Sequence, residues 1–190
     1  KDINGALENL SNRKIAEYLY LYSFYVIGGR FPVAESYIEK DQISTYLYAK
    51  DVIKDRFREG ELAISKDPGF AYRYAIDVIK DRFWEGEPEI AQNPILSYLY
   101  ARNAIKDRFW EGELAIAKDP HFSYRYARDV INGRFYKGEP VISRDPNTAL
   151  DYAIDVIEGR FPEGESVILQ NPKLSKFYAE EFDCPEILEE

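Results

Sequence analysis

A single cysteine, Cys184, and a single histidine, His121, stand in a chain of 190 residues. One cysteine closes no internal disulfide and builds no cysteine-based zinc site, so a reducing compartment, the cytoplasm, is the expected location and no metal or cofactor is expected. Long apolar runs are missing too: none approaches the roughly 20 residues of a spanning helix, and the opening KDINGALENLSNRK lacks the apolar stretch of a signal peptide. No membrane partner is expected. Positive charge is in deficit, 25 basic against 34 acidic residues for a formal charge of −9. That balance favours solubility and basic partners over nucleic acid or an anionic surface, although charges of both signs are interleaved.

What the chain has is a repeat. Arg-Phe occurs at Arg30-Phe31, Arg56-Phe57, Arg82-Phe83, Arg108-Phe109, Arg134-Phe135 and Arg160-Phe161, each 26 positions from the next, with no insertion or deletion. Glu recurs at 35, 61, 87, 113, 139 and 165, and Ile at 38, 64, 90, 116, 142 and 168. Asp-Pro or Asn-Pro recurs from Asp67-Pro68 to Asn171-Pro172, and Tyr-Ala from Tyr48-Ala49 to Tyr178-Ala179. A weaker period of 52 is also visible, because ELAISKDPGFAYRYA (61–75) and ELAIAKDPHFSYRYA (113–127) match each other better than the unit between them. Tandem copying of a two-unit block leaves that trace.

Each recurring residue has a physical meaning. Asp or Asn before Pro starts a helix, the side chain capping free N–H groups and the proline taking the first helical position. In the second full unit Tyr72, Ala75, Ile79 and Phe83 fall at helical spacing, which predicts a long helix of about 16 residues with one core face. The Glu-Gly-Glu that follows predicts Gly60, Gly86, Gly112, Gly138 and Gly164 as left-handed C-cap residues. A short helix from Glu87 to Gln92 then carries the recurring Ile inward. One such pair cannot bury its own stripe, so neighbours stack. The expected fold is all-α: an α/α solenoid of about six 26-residue repeats in a single domain, with 1–29 as an N-terminal cap, 30–171 as the repeats, and 172–190 as a C-terminal cap helix with an acidic tail.

YAIDVIKDRFWEGEPEIAQNP and YAIDVIEGRFPEGESVILQNP resemble tandem repeats of a YARDVIxGRWPEAEPxIxxDP type found in uncharacterised proteins of phages and environmental bacteria. The resemblance covers roughly residues 30 to 180. Phe stands here for the usual Trp after Arg, and Gly for Ala between the glutamates. It implies the repeat architecture and a phage or bacterial origin, and it carries no ligand set and no activity.

No catalytic constellation survives inspection. Glu85 and Glu87 resemble an acid–base pair, but the same carboxylates recur in every unit, whereas a catalytic site is usually single. The recurring Arg is expected to face helix-end carbonyls and to reach the Glu five residues on. His121, in an inter-unit turn, and Cys184 both read as surface residues. GGRFP and INGRFYKG lack the glycine spacing and the Lys-Ser/Thr of a phosphate loop. What varies between otherwise matching units is a set of positions spaced i, i+3, i+7 and i+11, expected to line one exposed side of the long helix: Arg73, Ile76, Lys80 and Trp84, then Leu99, Arg102, Lys106 and Trp110, then Arg125, Arg128 and Tyr136. Varied residues on a fixed frame are how solenoids bind. The expectation is a non-catalytic scaffold for a protein partner, an adaptor or inhibitor. The alternatives are nucleic-acid binding along this basic and aromatic strip, or an acidic nucleic-acid mimic that inhibits a host enzyme.

Overall fold

The computed structural model describes residues 10–188, and among them every regular element is a helix. They build an α-helical repeat solenoid with two compact units, Lys1–Ile90 and Ala91–Glu190. None of the described helices is long and apolar enough to cross a membrane.

In the first unit the chain runs through a long helix (Asn12–Tyr22 continuing as Ser23–Ile27), a short helix (Pro32–Ile38) and a second long helix (Gln42–Leu47 continuing as Tyr48–Ile53). A short helix (Glu61–Ser65), a third long helix (Pro68–Tyr74 continuing as Ala75–Ile79) and a short helix (Glu87–Ile90) complete it. The second unit repeats the alternation with long helices from Pro94, Pro120, Pro146 and Pro172, separated by Glu113–Ile116, Glu139–Ile142 and Pro162–Ile168.

Long helices start as the sequence requires. Asp67, Asn93, Asp119 and Asp145 sit in extended backbone, and each side chain accepts the N–H three residues on, with proline at the first helical position. Their ends differ from expectation. Seven α-helical residues, Pro68–Tyr74, pass into five π-helical ones, Ala75–Ile79, so the helix stops well short of 16 residues. Its last turn closes through Lys80 N–H on the Ala75 carbonyl at 2.6 Å, and Lys80 is left-handed at φ 60°. Lys54, Lys106, Asn132 and Glu158 occupy the same place with φ between 53° and 59°.

The glycines therefore do not end the long helices. Among the described residues only Gly28 combines glycine with positive φ; Gly112 and Gly138 have φ −86° and −89° and stand at the start of the short helix. Glycine is needed there for space. A Cβ on Gly112 would lie 2.5 Å from Phe109 Cδ1 and 2.7 Å from Ser97 Cβ, and one on Gly86 2.6 Å from Phe83 and 2.7 Å from Ala71. The recurring phenylalanine folds under its own turn, and the next turn of backbone lies directly on it.

In both units the recurring Ile and Tyr form the core. Ile38, Ile64, Ile90, Ile116, Ile142 and Ile168 are fully buried, as are Tyr48, Tyr74, Tyr100, Tyr126, Tyr152 and Tyr178. From Tyr48 to Tyr152 each ring meets the phenylalanine nine residues on edge to face, Tyr74 with Phe83 at 5.1 Å and Tyr126 with Phe135 at 5.2 Å, whereas Tyr178 meets Phe182.

The array ends are modified. Residues 1–9 of the expected N-terminal cap lie outside the described residues. The last long helix, Pro172–Glu181, has no π turn, and its left-handed residue is Asp183. The following turn, Pro185–Leu188, buries Ile187 and also Cys184, which is therefore a core residue of the C-terminal cap and not a surface one. His121 is exposed, as expected.

Candidate functional site: inter-repeat locks and exposed aromatic rings

Two sets of polar contacts join successive repeats, and they decide which side chains remain for a partner. The first is built on the buried tyrosines. Tyr126 Oη accepts the N–H of Phe109 in the preceding repeat at 2.8 Å and donates to Glu113, which also takes Arg108. The same three-way lock joins Tyr74 to Phe57, Glu61 and Arg56, and Tyr152 to Phe135, Glu139 and Arg134. Arg56, Arg82 and Arg134 each grip their glutamate through Nε and Nη2 at 2.7–2.9 Å, the fork geometry that makes Arg–carboxylate pairs strong. The recurring Arg thus lies beyond the helix end. It serves the glutamate, not the helix-end carbonyls.

The hydrogen bond from Arg30 holds the Glu35 carboxyl below the usual range against an opposing effect of burial, and Arg160 does the same for Glu165. Burial pushes the Tyr48 hydroxyl up to about 12. The signs give a stability profile. Carboxylates held below their ordinary value of 4.5 stabilise the fold above that pH and lose the contribution as pH falls through their depressed values. Hydroxyls raised above 10.0 contribute fully below that pH and lose the contribution as pH rises toward 12. Melting temperature should be flat between about pH 5 and pH 9 and fall on both sides. A melting temperature still level at pH 11 would contradict the role given to the tyrosines.

The second set lies on the long helices. Tyr98 donates to Asp129 of the next repeat at 2.5 Å, Tyr124 donates to Asp155, and Tyr46 to Asp77. A cation one turn after the tyrosine joins in each case: Arg102 reaches Tyr98 at 3.3 Å, Arg128 reaches Tyr124 at 2.5 Å, and Lys50 reaches Asp77 at 2.8 Å.

The expected strip is therefore divided. Arg73 is exposed with its guanidinium over the Phe70 ring, Ile76 is half-buried, and Lys80 is the left-handed residue after the helix. Trp84 stands in the turn beyond. Leu99 and Arg125 are half-buried, Arg102 and Arg128 belong to the tyrosine–aspartate set, and Lys106 is left-handed like Lys80. Helical spacing cannot extend over eleven residues when the helix stops after the seventh, so these positions do not line one helix side.

The aromatic members stand apart from the strip, Trp84 in the first unit and Trp110 and Tyr136 in the second. Trp84, Trp110 and Tyr136 are 62%, 58% and 70% exposed. Each lies over the guanidinium of the arginine two residues earlier: Arg82 at 3.8 Å, Arg108 at 3.8 Å and Arg134 at 5.0 Å from the ring centre. In the second unit Lys137 stretches from the Tyr136 turn back to Glu113 at 2.7 Å and passes 5.8 Å from the Trp110 ring, which places the two turns side by side. Leu114, at the start of the short helix, is 70% exposed. At two positions equivalent to Lys137 a glutamate reaches the other member of the pair instead, Glu85 toward Arg56 at 4.0 Å and Glu163 toward Arg134 at 3.9 Å. Sequence reasoning found the aromatics and missed their arginines, although the Arg-Phe-Trp spacing was there to read.

Comparison with protein families, curated proteins and solved structures finds no match to this chain.

Proposed function

We propose that the chain is a non-catalytic helical-repeat scaffold that binds a protein partner, as an adaptor or inhibitor, through the exposed arginine-stacked rings Trp84 of the first unit and Trp110 and Tyr136 of the second. The observation that supports this is the stack of each exposed ring on an arginine whose charge is already committed to a buried glutamate. A large amphipathic ring so held gives contact area with little conformational entropy left to lose, which is how Trp and Tyr act as interface anchors. The nucleic-acid reading is weaker, because Arg102 and Arg128, two cations of the strip, are engaged with Tyr and Asp. The acidic-mimic alternative gains nothing from these contacts. A reducing cytoplasm of bacterial or phage-infected cells is where we place this activity, on the single cysteine and the repeat resemblance.

The test compares the native chain with the Trp84→Ser, Trp110→Ser, Tyr136→Ser variant as immobilised bait in bacterial lysate, with and without nuclease. A protein retained by the native chain should bind the variant about 30-fold or more weakly while the helical signal and melting temperature stay unchanged. Retention of nucleic acid that falls steeply with salt would replace this reading by the alternative. Equal retention of one protein by both chains would place the binding face elsewhere.

A further inference from the structure

The first long helix, Asn12–Tyr22 continuing as Ser23–Ile27, carries more exposed large hydrophobic side chains than any other described helix. Tyr18, Leu21, Tyr22, Phe24, Tyr25, Val26 and Ile27 are all exposed, Tyr25 by 76% and Val26 by 64%. Tyr22 occupies the position of the lock tyrosines, every one of which is fully buried, yet it is 48% exposed. Phe24 and Tyr25 stand where interior repeats carry Lys50 with Asp51 and Arg128 with Asp129. Contiguous apolar surface of this kind marks an interaction site.

We infer that this face pairs with the same face of a second copy of the chain, giving a two-fold dimer joined at the N-terminal ends. Three observations select that occupant. Tyr18 to Ile27 contains no charged residue, so two chains of net charge −9 meet there without like charges in contact. The tyrosine hydroxyls both donate and accept, which suits a surface that must complement itself under two-fold symmetry. The opposite end of the chain is the wrong counterpart. The outer side of Pro172–Glu181 exposes Lys173, Lys176, Glu180 and Glu181, and head-to-tail stacking would bury those charges on an apolar face. A further repeat of the ordinary kind fits no better, because Tyr25 has displaced the aspartate that accepts a tyrosine of the preceding repeat, as Asp51 accepts Tyr20 at 3.1 Å.

The experiment is sedimentation equilibrium of the full chain over a wide concentration range, with circular dichroism and thermal melting as the fold control. The native chain should show a monomer–dimer equilibrium. Tyr18→Glu with Tyr25→Glu, both at exposed positions, should weaken self-association about 100-fold or more with the helical signal retained. Phe177→Glu, at the other end, should leave it unchanged. A native chain monomeric at every concentration overturns the inference and assigns the face to the chain's own first residues or another partner. A dimer that survives the double variant, or that Phe177→Glu dissolves, overturns it equally. Because the Trp84, Trp110, Tyr136 variant should dimerise normally, this result and the partner-binding result stand or fall separately.

Discussion

Glu113→Ala is expected to cost about 3 kcal/mol of stability, the lower end of the range for removing one partner of a buried charged group. Glu113 is fully buried, and its carboxylate takes Arg108, Lys137 and Tyr126. Alanine strands these donors unequally. The Arg108 and Lys137 side chains are 32% and 50% exposed, so both recover water and the loss stays below the full cost of an uncompensated buried charge. The Tyr126 hydroxyl is buried, and it keeps only the N–H of Phe109 that it accepts. Denaturant unfolding of Glu113→Ala, Tyr126→Phe and the double variant measures the coupling, which should exceed about 1 kcal/mol. Glu165→Ala is the internal comparison, because its half-buried carboxylate, held by Arg160 and Tyr178, should cost visibly less. Additive single effects would mean that the lock is a set of separate contacts and does not join the repeats as one unit.

The parts of this fold legible in the sequence are those fixed within one repeat or by its period. Asp67-Pro68 caps a helix wherever it stands, and a residue recurring as Ile every 26 positions has to face a core that recurs with it. The Arg-to-Glu distance of five was readable for the same reason. The helix end was not, because its signal is negative: Lys80, Lys106 and Glu158 adopt a left-handed conformation usually given to glycine or asparagine, and a π turn leaves no mark in spacing. With the helix drawn too long, Trp84 and Trp110 were placed on the same side as Arg73 and Arg102. Side-chain contacts separate them: the tryptophans lie on Arg82 and Arg108, while Arg102 donates to the Tyr98 hydroxyl. The exposed aromatics were recoverable from their variation between repeats, but the exposed N-terminal face was not. Tyr22 matches a position buried in every interior repeat and Val26 and Ile27 match largely half-buried ones, and only the structure shows that all three are exposed.

Gly112→Ala is expected to destabilise by several kcal/mol, comparable to the largest effects of overpacking, although alanine favours the backbone conformation that Gly112 adopts. An added methyl would sit 2.5 Å from Phe109 Cδ1 and 2.7 Å from Ser97 Cβ, one beneath the turn and one in the neighbouring long helix, so neither can yield without opening the contact between repeat elements. Left-handed capping predicts another pattern: alanine would be penalised by its φ alone, by about 1 kcal/mol, and relief of crowding would restore nothing. Truncating the neighbour therefore separates the two accounts. Ser97→Gly should recover part of the loss in the Gly112→Ala background while destabilising the native chain. Lys106→Gly supplies the reverse control. Its φ of 57° strains a lysine, so glycine there should stabilise, or at worst be neutral once the greater freedom of the unfolded chain is counted. If Gly112→Ala melts like the native chain, the phenylalanine under the turn has room to move and the close approach does not hold the repeats. If Lys106→Gly costs as much as Gly112→Ala, the left-handed residue is held by its side chain and the helix end is set by contacts of that lysine.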